Sequence, residues 1–325
     1  MSMSPQQEAI PFIKWVGGKR QLQSTLLEVF KQSKWNSLDG TYFEPFLGGG
    51  AMLLAILNST ESNNTKARVS DTNLNLLQVY RCIKSKKENP DPFEIELERI
   101  ENEFRRRKSE KTKKEYYLSL RKEYNEFKFR HERSVVAKED KARLAALFVF
   151  LNKAGFNGIY RENRTGDFNV PFGKKSEVKL LDKQNMKSVR QALKKTQIVS
   201  GDYRKLLLNS ATRPSKGDLV YLDPPYEPVS QTSFTSYTHL GFSTEDQKQL
   251  AKVAGQLAVM GCKVVISNSS AHSLRAIYWE QGFKIYEIQA ARLVSAKSAG
   301  RTPVTEIVVT NFEVSHPSLK LVSRT

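Results

Sequence analysis

The apolar run Leu219-Val220-Tyr221-Leu222 stops at Asp223-Pro224-Pro225-Tyr226. A strand that ends in an acid, two prolines and an aromatic presents rigid backbone, one carboxylate and one flat ring at the carboxyl edge of a sheet, where open α/β folds bind their ligands. Those are the groups needed to hold a flat, amine-bearing substrate. The chemistry that suits them is methylation of an exocyclic amine on a nucleobase. Such an amine is a poor nucleophile because its lone pair is delocalised into the ring. Two acceptors, the Asp223 carboxylate and the Pro224 carbonyl, can hold its hydrogens and release that lone pair, while Tyr226 stacks on the base for about 1–3 kcal/mol. No covalent intermediate and no cysteine nucleophile is required. The competing reading is a strand that ends at a Pro-Pro turn with an acid capping a neighbour, and four residues by themselves do not separate the two.

The context lies upstream. Phe12-Ile13-Lys14-Trp15-Val16-Gly17-Gly18-Lys19 opens the chain, and Phe43-Glu44-Pro45-Phe46-Leu47-Gly48-Gly49-Gly50 leads into an apolar, helix-like run from Ala51 to Leu57. In the second segment a short strand enters a glycine turn, which lets backbone amides approach a ligand at the positive end of the following helix and suits a carboxylate there. A dinucleotide fold is the rival, but its G-x-G-x-x-G spacing is missing, since Gly48 and Gly50 are followed by Leu53. Two further apolar stretches end in acids, at Asp71 and at Asp202. An acid at the tip of the second strand commonly takes ribose hydroxyls in doubly wound folds, although each could instead cap a helix. Trp15, among apolar neighbours, also reads as ordinary core.

With Asp223-Pro224-Pro225-Tyr226, these segments resemble the Dam-type DNA adenine-N6 methyltransferases, from Phe12 to about Phe312. The resemblance implies an α/β fold with a doubly wound, mostly parallel sheet and S-adenosylmethionine (AdoMet) as cofactor. It also implies cofactor-binding roles for Trp15, Lys19, Phe46, Gly48, Gly50, Asp71, Asp202 and Asp223, and catalytic roles for Asp223, Pro224 and Tyr226. The chain departs from the family's pattern at Val16, where alanine is usual, and at Thr72, where isoleucine is common.

Charge fits a polyphosphate partner. The chain carries a formal +18 and a pI near 9.7, the balance expected of a protein that meets nucleic acid. Residues 153–205 hold 13 Lys and Arg against 5 Asp and Glu, whereas residues 81–140 hold 18 against 14. The basic surplus therefore falls in the segment that contains Gly155-Phe156-Asn157-Gly158-Ile159-Tyr160-Arg161 and Thr165-Gly166-Asp167-Phe168-Asn169-Val170-Pro171-Phe172-Gly173. Turn residues from Asn163 to Asp167 between two short runs fit a β-hairpin, and an arginine on a hairpin can address O6 and N7 of guanine in the major groove. On composition alone Arg161 is equally a phosphate contact or a solvent-exposed side chain. The stretch resembles the hairpin with which Dam-type enzymes read GATC. On that resemblance Arg161 reads guanine, Ile159 and Pro171 make apolar base contacts, Phe156 and Asn157 lie near the vacated partner base, and Lys14 contacts the first base.

Residues 86–190 do not alternate strand and helix. Ile95, Leu97, Ile100 and Phe104 have helical spacing after the break at Pro90 to Pro92, Tyr117, Leu120, Tyr124 and Phe127 mark a second helix, and a third runs from about Asp140 to Lys153. The expected organisation is a catalytic domain in two parts, residues 1–85 and 191–325, around a mainly helical DNA-recognition domain at 86–190 carrying the hairpin. The helical stretch from Glu88 to Arg133 is longer than in compact members of the family. Lys263 to Asn268, Lys284 to Gln289 and Glu306 to Phe312 read as strands, the last two as an antiparallel hairpin. Pro228 to Phe242 reads as a lid over the target base, Arg292 to Arg301 as a phosphate-touching loop, and residues 1–9 and 313–325 as frayed tails. Cys82 and Cys262 have no metal-ligand spacing, so neither a disulfide framework nor a metal is expected. No secretory pattern and no long apolar run appears, so the expectation is a soluble, cytoplasmic protein. The partner is then double-stranded DNA and not a membrane, and the chain carries no signal for or against a companion restriction nuclease. The function implied is methyl transfer to adenine N6 in duplex DNA, within GATC and by base flipping. The alternatives are an RNA or cytosine-N4 methyltransferase on the same fold and a non-catalytic DNA-binding protein.

Overall fold

Among the described residues eight strands, most of them carrying β-branched or aromatic residues, form one sheet: β1 (Tyr42–Glu44), β2 (Ala67–Asp71), β3 (Thr196–Ser200), β4 (Leu219–Leu222), β5 (Lys263–Ser269), β6 (Lys284–Ala290), β7 (Val304–Thr310) and β8 (Lys320–Leu321), in the order β3-β2-β1-β4-β5-β7-β6-β8. The computed structural model describes residues 7–59, 65–85, 90–133, 137–226, 242–290 and 304–324. By contact the chain divides into a unit of Met1–Gly18, Gly48–Leu54 and Asn73–Lys194 and a unit of Lys19–Leu47, Ala55–Thr72 and Lys195–Thr325. The segment read as a lid (Pro228 to Phe242), apart from Phe242 itself, and the one read as a basic loop (Arg292 to Arg301) lie outside the described residues.

The sheet belongs to the second unit. Strands β3, β2, β1, β4 and β5 run parallel, and β7 inserts antiparallel between β5 and β6. This is the mostly parallel α/β sheet the sequence implies, with β6 and β7 paired as expected. All four residues of β4 are buried, which explains why it reads as an unbroken apolar run rather than an alternating one. Val220 and Leu222 pack in a core with Phe43, Leu250, Val264, Ile266 and Tyr278. Flanking helices are α1 (Gln23–Gln32), α8 (Tyr203–Leu207), α9 (Thr244–Val259) and α10 (His272–Glu280). The chain winds outward from β1 towards β3 on one side and from β4 towards β5 on the other. The switch point between β1 and β4 is where such sheets open a crevice for ligands.

In the other unit, α3 (Leu74–Lys84), α4 (Pro92–Arg106), α5 (Glu110–Arg133), α6 (Lys138–Ala154) and α7 (Lys183–Ala192) form a helical bundle. Helix α6 is buried almost continuously from Leu144 to Leu151, as a helix surrounded by others must be. Arg143 ties three helices, donating to Glu123 at 2.7 Å and to Glu96 at 2.9 Å. Asp91 caps α4 and Pro92 occupies its first turn, where proline's missing N–H is no loss. One residue of the expected helical face is misplaced: Ile95 is 44 % exposed, and Phe93 fills the buried position beside Leu97, Ile100 and Phe104.

The expected hairpin is present as a ribbon with little ladder. Only Gly155 with Phe172 and Glu162 with Phe168 form antiparallel bridges. Regular pairing fails because Phe156–Gly158 coils into a 3-10 turn and because the Val170 carbonyl accepts from Tyr117 Oη (2.9 Å) and Arg121 Nη1 (3.1 Å) of α5 instead of from a strand. The turn chemistry is as read, with Asn163 Oδ1 accepting from the backbone N–H groups of Thr165 (3.0 Å) and Asp167 (2.8 Å). The carboxy-terminal tail is a correction. Residues 313–324 do not fray, since Val314 donates to Tyr286 Oη at 2.9 Å, Ser315 to Gln32 Oε1 at 2.9 Å, and β8 pairs with β6.

Candidate active site

Strand β4 delivers Asp223 to the carboxyl edge at the switch point, and three other side chains close on it. Lys19 Nζ lies 3.0 Å from Asp223 Oδ1 and 3.6 Å from Glu306 Oε2. Lys19 also donates to Tyr226 Oη at 2.7 Å, and Tyr226 in turn donates to Glu306 Oε2 at 2.6 Å. The ammonium sits 4.7 Å from the centre of the Tyr226 ring as well. Two carboxylates thus share one cation, and the phenol closes the circuit. The Lys19 side chain is 4 % exposed, that of Asp223 20 % and that of Glu306 15 %.

Electrostatics follow from that arrangement. Burial pushes the Asp223 carboxyl up to about 6; Lys19 pulls it down, and Glu306 adds to the rise. Burial pulls the Lys19 ammonium down, but Asp223 and Glu306 together leave it above its ordinary range. Burial, with Asp223 and Glu306 beside it, holds the Tyr226 phenol well above its usual value, so it is a neutral donor. Behind the prolines, the Pro225 carbonyl accepts from Gln247 Nε2 at 3.2 Å, Gln247 Oε1 accepts from Asn268 Nδ2 at 3.0 Å, and Asn268 Nδ2 also reaches Tyr278 Oη at 3.0 Å. Gln247 and Asn268 are fully buried. This chain of bonds fixes the backbone of the motif.

Other residues singled out in the sequence line the same edge. Asp71 ends β2, pairs in register with Ser200 of β3, and accepts the Gly201 N–H at its carbonyl (3.1 Å). Asp202 caps α8 through the Arg204 N–H at 2.7 Å and faces the Arg204 guanidinium at 3.4 Å. It is therefore a helix cap, and its half-exposed carboxylate keeps lone pairs for a further donor. Phe46 follows β1, half-buried, its ring 5.6 Å from Tyr203 and 6.0 Å from Phe242.

The glycine turn belongs to the helical unit. Gly48 (φ 49°) and Gly50 (φ 67°) adopt left-handed backbone, and a Cβ would meet the Trp15 ring at 2.8 Å or Tyr80 Oη at 2.6 Å. Tyr80 Oη donates to the Gly49 carbonyl at 2.5 Å, setting the turn at the start of α2 (Ala51–Ser59). Trp15 is half-buried against this turn and stacks on Tyr160 at 5.9 Å.

The ribbon and Lys14 come together within the helical unit. Asn152, buried, accepts the Lys14 N–H through Oδ1 (2.9 Å) and donates through Nδ2 to the Lys14 carbonyl (2.8 Å) and the Gly158 carbonyl (3.0 Å). Along the ribbon, Tyr160, Phe168, Val170 and Phe172 point inward, while Ile159, Arg161, Asn169 and Pro171 point outward with Phe156 and Asn157. Arg161 donates from Nε to Asn169 Oδ1 at 2.7 Å and from Nη2 to the Asn169 carbonyl at 3.3 Å. Lys128 of α5 reaches beneath to Glu162 and to the Gly166 carbonyl, and Tyr160 also donates to Glu162. Sequence reasoning missed Glu306, Gln247, Asn268, Asn152 and Asn169. For Glu306 one signal existed, a lone acid inside the β-branched run Val304-Thr305-Glu306-Ile307-Val308-Val309.

An open, mostly parallel sheet with a carboxylate, an ammonium and a tyrosine at its switch point has the architecture of an α/β methyltransferase. Residues 15–294 match the family described as D12 class N6 adenine-specific DNA methyltransferase, and the chain belongs to that family. It is 37 % identical over 305 residues to a type II methyltransferase of Lactococcus lactis subsp. cremoris, covering 93 % of this chain and 95 % of that one. To a type II methyltransferase of Methanocaldococcus jannaschii it is 35 % identical over 307 residues, covering 94 % of this chain and all of the other. The DNA adenine methylase of Escherichia coli is 27 % identical over 298 residues, covering 91 % and 93 %. The chain is an adenine-specific DNA methyltransferase. Among the described residues no helix is long and apolar enough to cross a membrane and no group of three metal-ligating side chains occurs.

Proposed function

We propose that this enzyme transfers the methyl group of AdoMet to N6 of an adenine extruded from duplex DNA, within GATC. The observation that carries the chemistry is the circuit of Asp223, Lys19, Tyr226 and Glu306 at the sheet's switch point. The residues present suit AdoMet. The amide-lined turn Gly48 to Gly50 at the head of α2 offers donors to an amino-acid carboxylate, Asp71 offers acceptors to a ribose diol, and Asp202 to an adenine amine. Phe46, Trp15 and Lys19 complete the proposed cofactor contacts. When bound, the cofactor supplies an electrophilic methyl group.

This chain's own residues do the rest. Asp223 and the Pro224 carbonyl accept the two N6 hydrogens, which draws the nitrogen lone pair out of conjugation and towards the methyl group. Lys19 keeps Asp223 ionised and turned to the amine, and Tyr226 stacks on the flipped base. With a methyl group transferred to N6, one amine proton would have to leave. A carboxylate held near 6 is basic enough to take it and acidic enough to release it near neutral pH. The extruded base costs a few kcal/mol of unstacking, which the Tyr226 stack partly offsets.

Sequence reading rests on the outward face of the ribbon. Asn169 holds Arg161 through Nε and one Nη2 hydrogen, which leaves the far end of the guanidinium able to present two donors to guanine. Ile159, Pro171, Phe156, Asn157 and Lys14 flank it as apolar and polar base contacts. The experiment is the ranking of methylation rates on GATC and on each single-base variant. Arg161→Ala is expected to lose about 1–3 kcal/mol of discrimination at one guanine only. A common factor across all sites would make Arg161 a phosphate anchor and remove the main support for GATC.

A further inference from the structure

Glu306 stands outside the motifs that define the site, yet it makes two of the contacts that shape it. It accepts the Tyr226 hydroxyl at 2.6 Å and lies 3.6 Å from the Lys19 ammonium, from a side chain only 15 % exposed. Its position follows from topology. Strand β7 runs antiparallel beside β5, and Glu306 pairs with Ser269 at the end of that strand. Because β5 is parallel to β4, the amino-terminal end of β7 lies at the carboxyl edge that presents Asp223. A buried acid so close to Asp223 is unfavourable unless both share a cation, and Lys19 is that cation.

We propose that Glu306 is a positioning residue for methyl transfer, holding Tyr226 by its hydroxyl and Lys19 by its charge so that ring and carboxylate meet the target amine in fixed places. Without Glu306, Tyr226 loses the acceptor that sets its ring, and Lys19 loses the second carboxylate it shares with Asp223. The ammonium would then compete more strongly with the amine hydrogens for the Asp223 oxygens. Glu306 thereby divides the cation's attraction and leaves Asp223 able to accept.

The same geometry predicts a signature in the pH profile. The charged and titratable groups facing Asp223 are Lys19, Glu306 and Tyr226, with Tyr221 on its own strand and Tyr42 on β1. The three phenols lie well above their usual values and stay neutral, and Lys19 stays charged. Of the cluster's charges, Glu306 acts to raise Asp223 and Lys19 to lower it. Removing Glu306's charge therefore moves the acid limb of kcat/KM to lower pH.

The test rests on the reading of Asp223 as acceptor and uses full-length protein with AdoMet and a GATC duplex. Glu306→Gln is expected to lower kcat about 10- to 100-fold, the scale of a small misplacement of reacting groups. AdoMet affinity and melting temperature should hold, while the acid limb shifts downward. Glu306→Asp, which keeps the charge, should leave the limb in place and recover part of the turnover. Wild-type turnover with an unmoved limb in Glu306→Gln overturns the assignment. So does a loss of turnover that comes with a fallen melting temperature and an unmoved limb, since that is the behaviour of a residue that only packs. Asp223→Asn run in parallel separates the two claims. If it is as active as wild type, the reading of Asp223 has failed; if it is inactive while Glu306→Gln is fully active, only the role of Glu306 has failed.

Discussion

Asp223→Asn should make this enzyme more stable while stopping its chemistry. Asp223 is held at about 6, against 3.8 for a solvated aspartate. At about 1.4 kcal/mol per pH unit, keeping it ionised costs the folded state up to about 3 kcal/mol at pH 8. The folded value lies above the unfolded one, so the folded protein binds the proton more tightly, and stability rises as pH falls from about 6 towards 4. An asparagine imitates the protonated acid without titrating. The variant's advantage should be largest at pH 8, fall to about half by pH 5, where the wild-type carboxyl is mostly protonated in the folded state, and drop below about 1 kcal/mol by pH 4. Titrating groups away from Asp223 are common to both proteins and cancel in the difference. Urea unfolding of both proteins at pH 8, 6, 5 and 4 measures it. A variant less stable than wild type at pH 8, or a difference that does not change with pH, would show that Lys19 fully compensates the buried charge and that Asp223 is not held ready to exchange a proton.

Further outcomes follow from other parts of the structure. Gln247→Ala strips the Pro225 carbonyl of its side-chain donor and Asn268 Nδ2 of one of its two acceptors, so unfolding should become about 1–3 kcal/mol easier, with slower turnover and unaltered DNA affinity; no change in either stability or turnover would remove Gln247 from the site's support. Asp71→Ala should weaken AdoMet binding by calorimetry with a smaller effect on DNA affinity, and equal losses in both would indicate misfolding. Affinity for arbitrary duplex should fall with salt on a log-log plot with a slope of about 0.9 per phosphate neutralised; a flat response would contradict a phosphate-tracking basic surface. Asn169→Ala releases Arg161 and should relax discrimination at the same base pair as Arg161→Ala, whereas loss at a different position would separate the two side chains.

The strand-end residues were legible because each motif is contiguous. A run of apolar residues followed by an acid or by prolines states in one place both the strand and what its edge presents, as at Asp71, Asp202 and Asp223. The helical unit was legible through spacing, yet Ile95 shows the weakness of the method, since a turn that begins at Pro92 puts Phe93 inside and Ile95 outside. Glu306 was hidden because it acts on Tyr226 from 80 residues away. Its role depends on β7 entering the sheet antiparallel beside β5, and the register of that pairing leaves no local pattern. Gln247, Asn268 and Asn152 were hidden for the related reason that buried amides join segments distant in sequence, where composition reads only a polar residue. The ribbon's strands were over-read, because the sequence shows turn residues clearly but not that Tyr117 and Arg121 take the Val170 carbonyl.

The central claim is that Asp223 at the end of β4 accepts the hydrogens of an adenine amine in DNA. It is tested most directly by incubating wild type and Asp223→Asn with labelled AdoMet and a GATC duplex, digesting the DNA to nucleosides and identifying the labelled product, with AdoMet binding measured on the same samples. The account predicts label in N6-methyladenine alone for wild type, and none above background for a variant that still binds AdoMet. Label in cytosine, or N6-methyladenine formed by the variant at the wild-type rate, would contradict it.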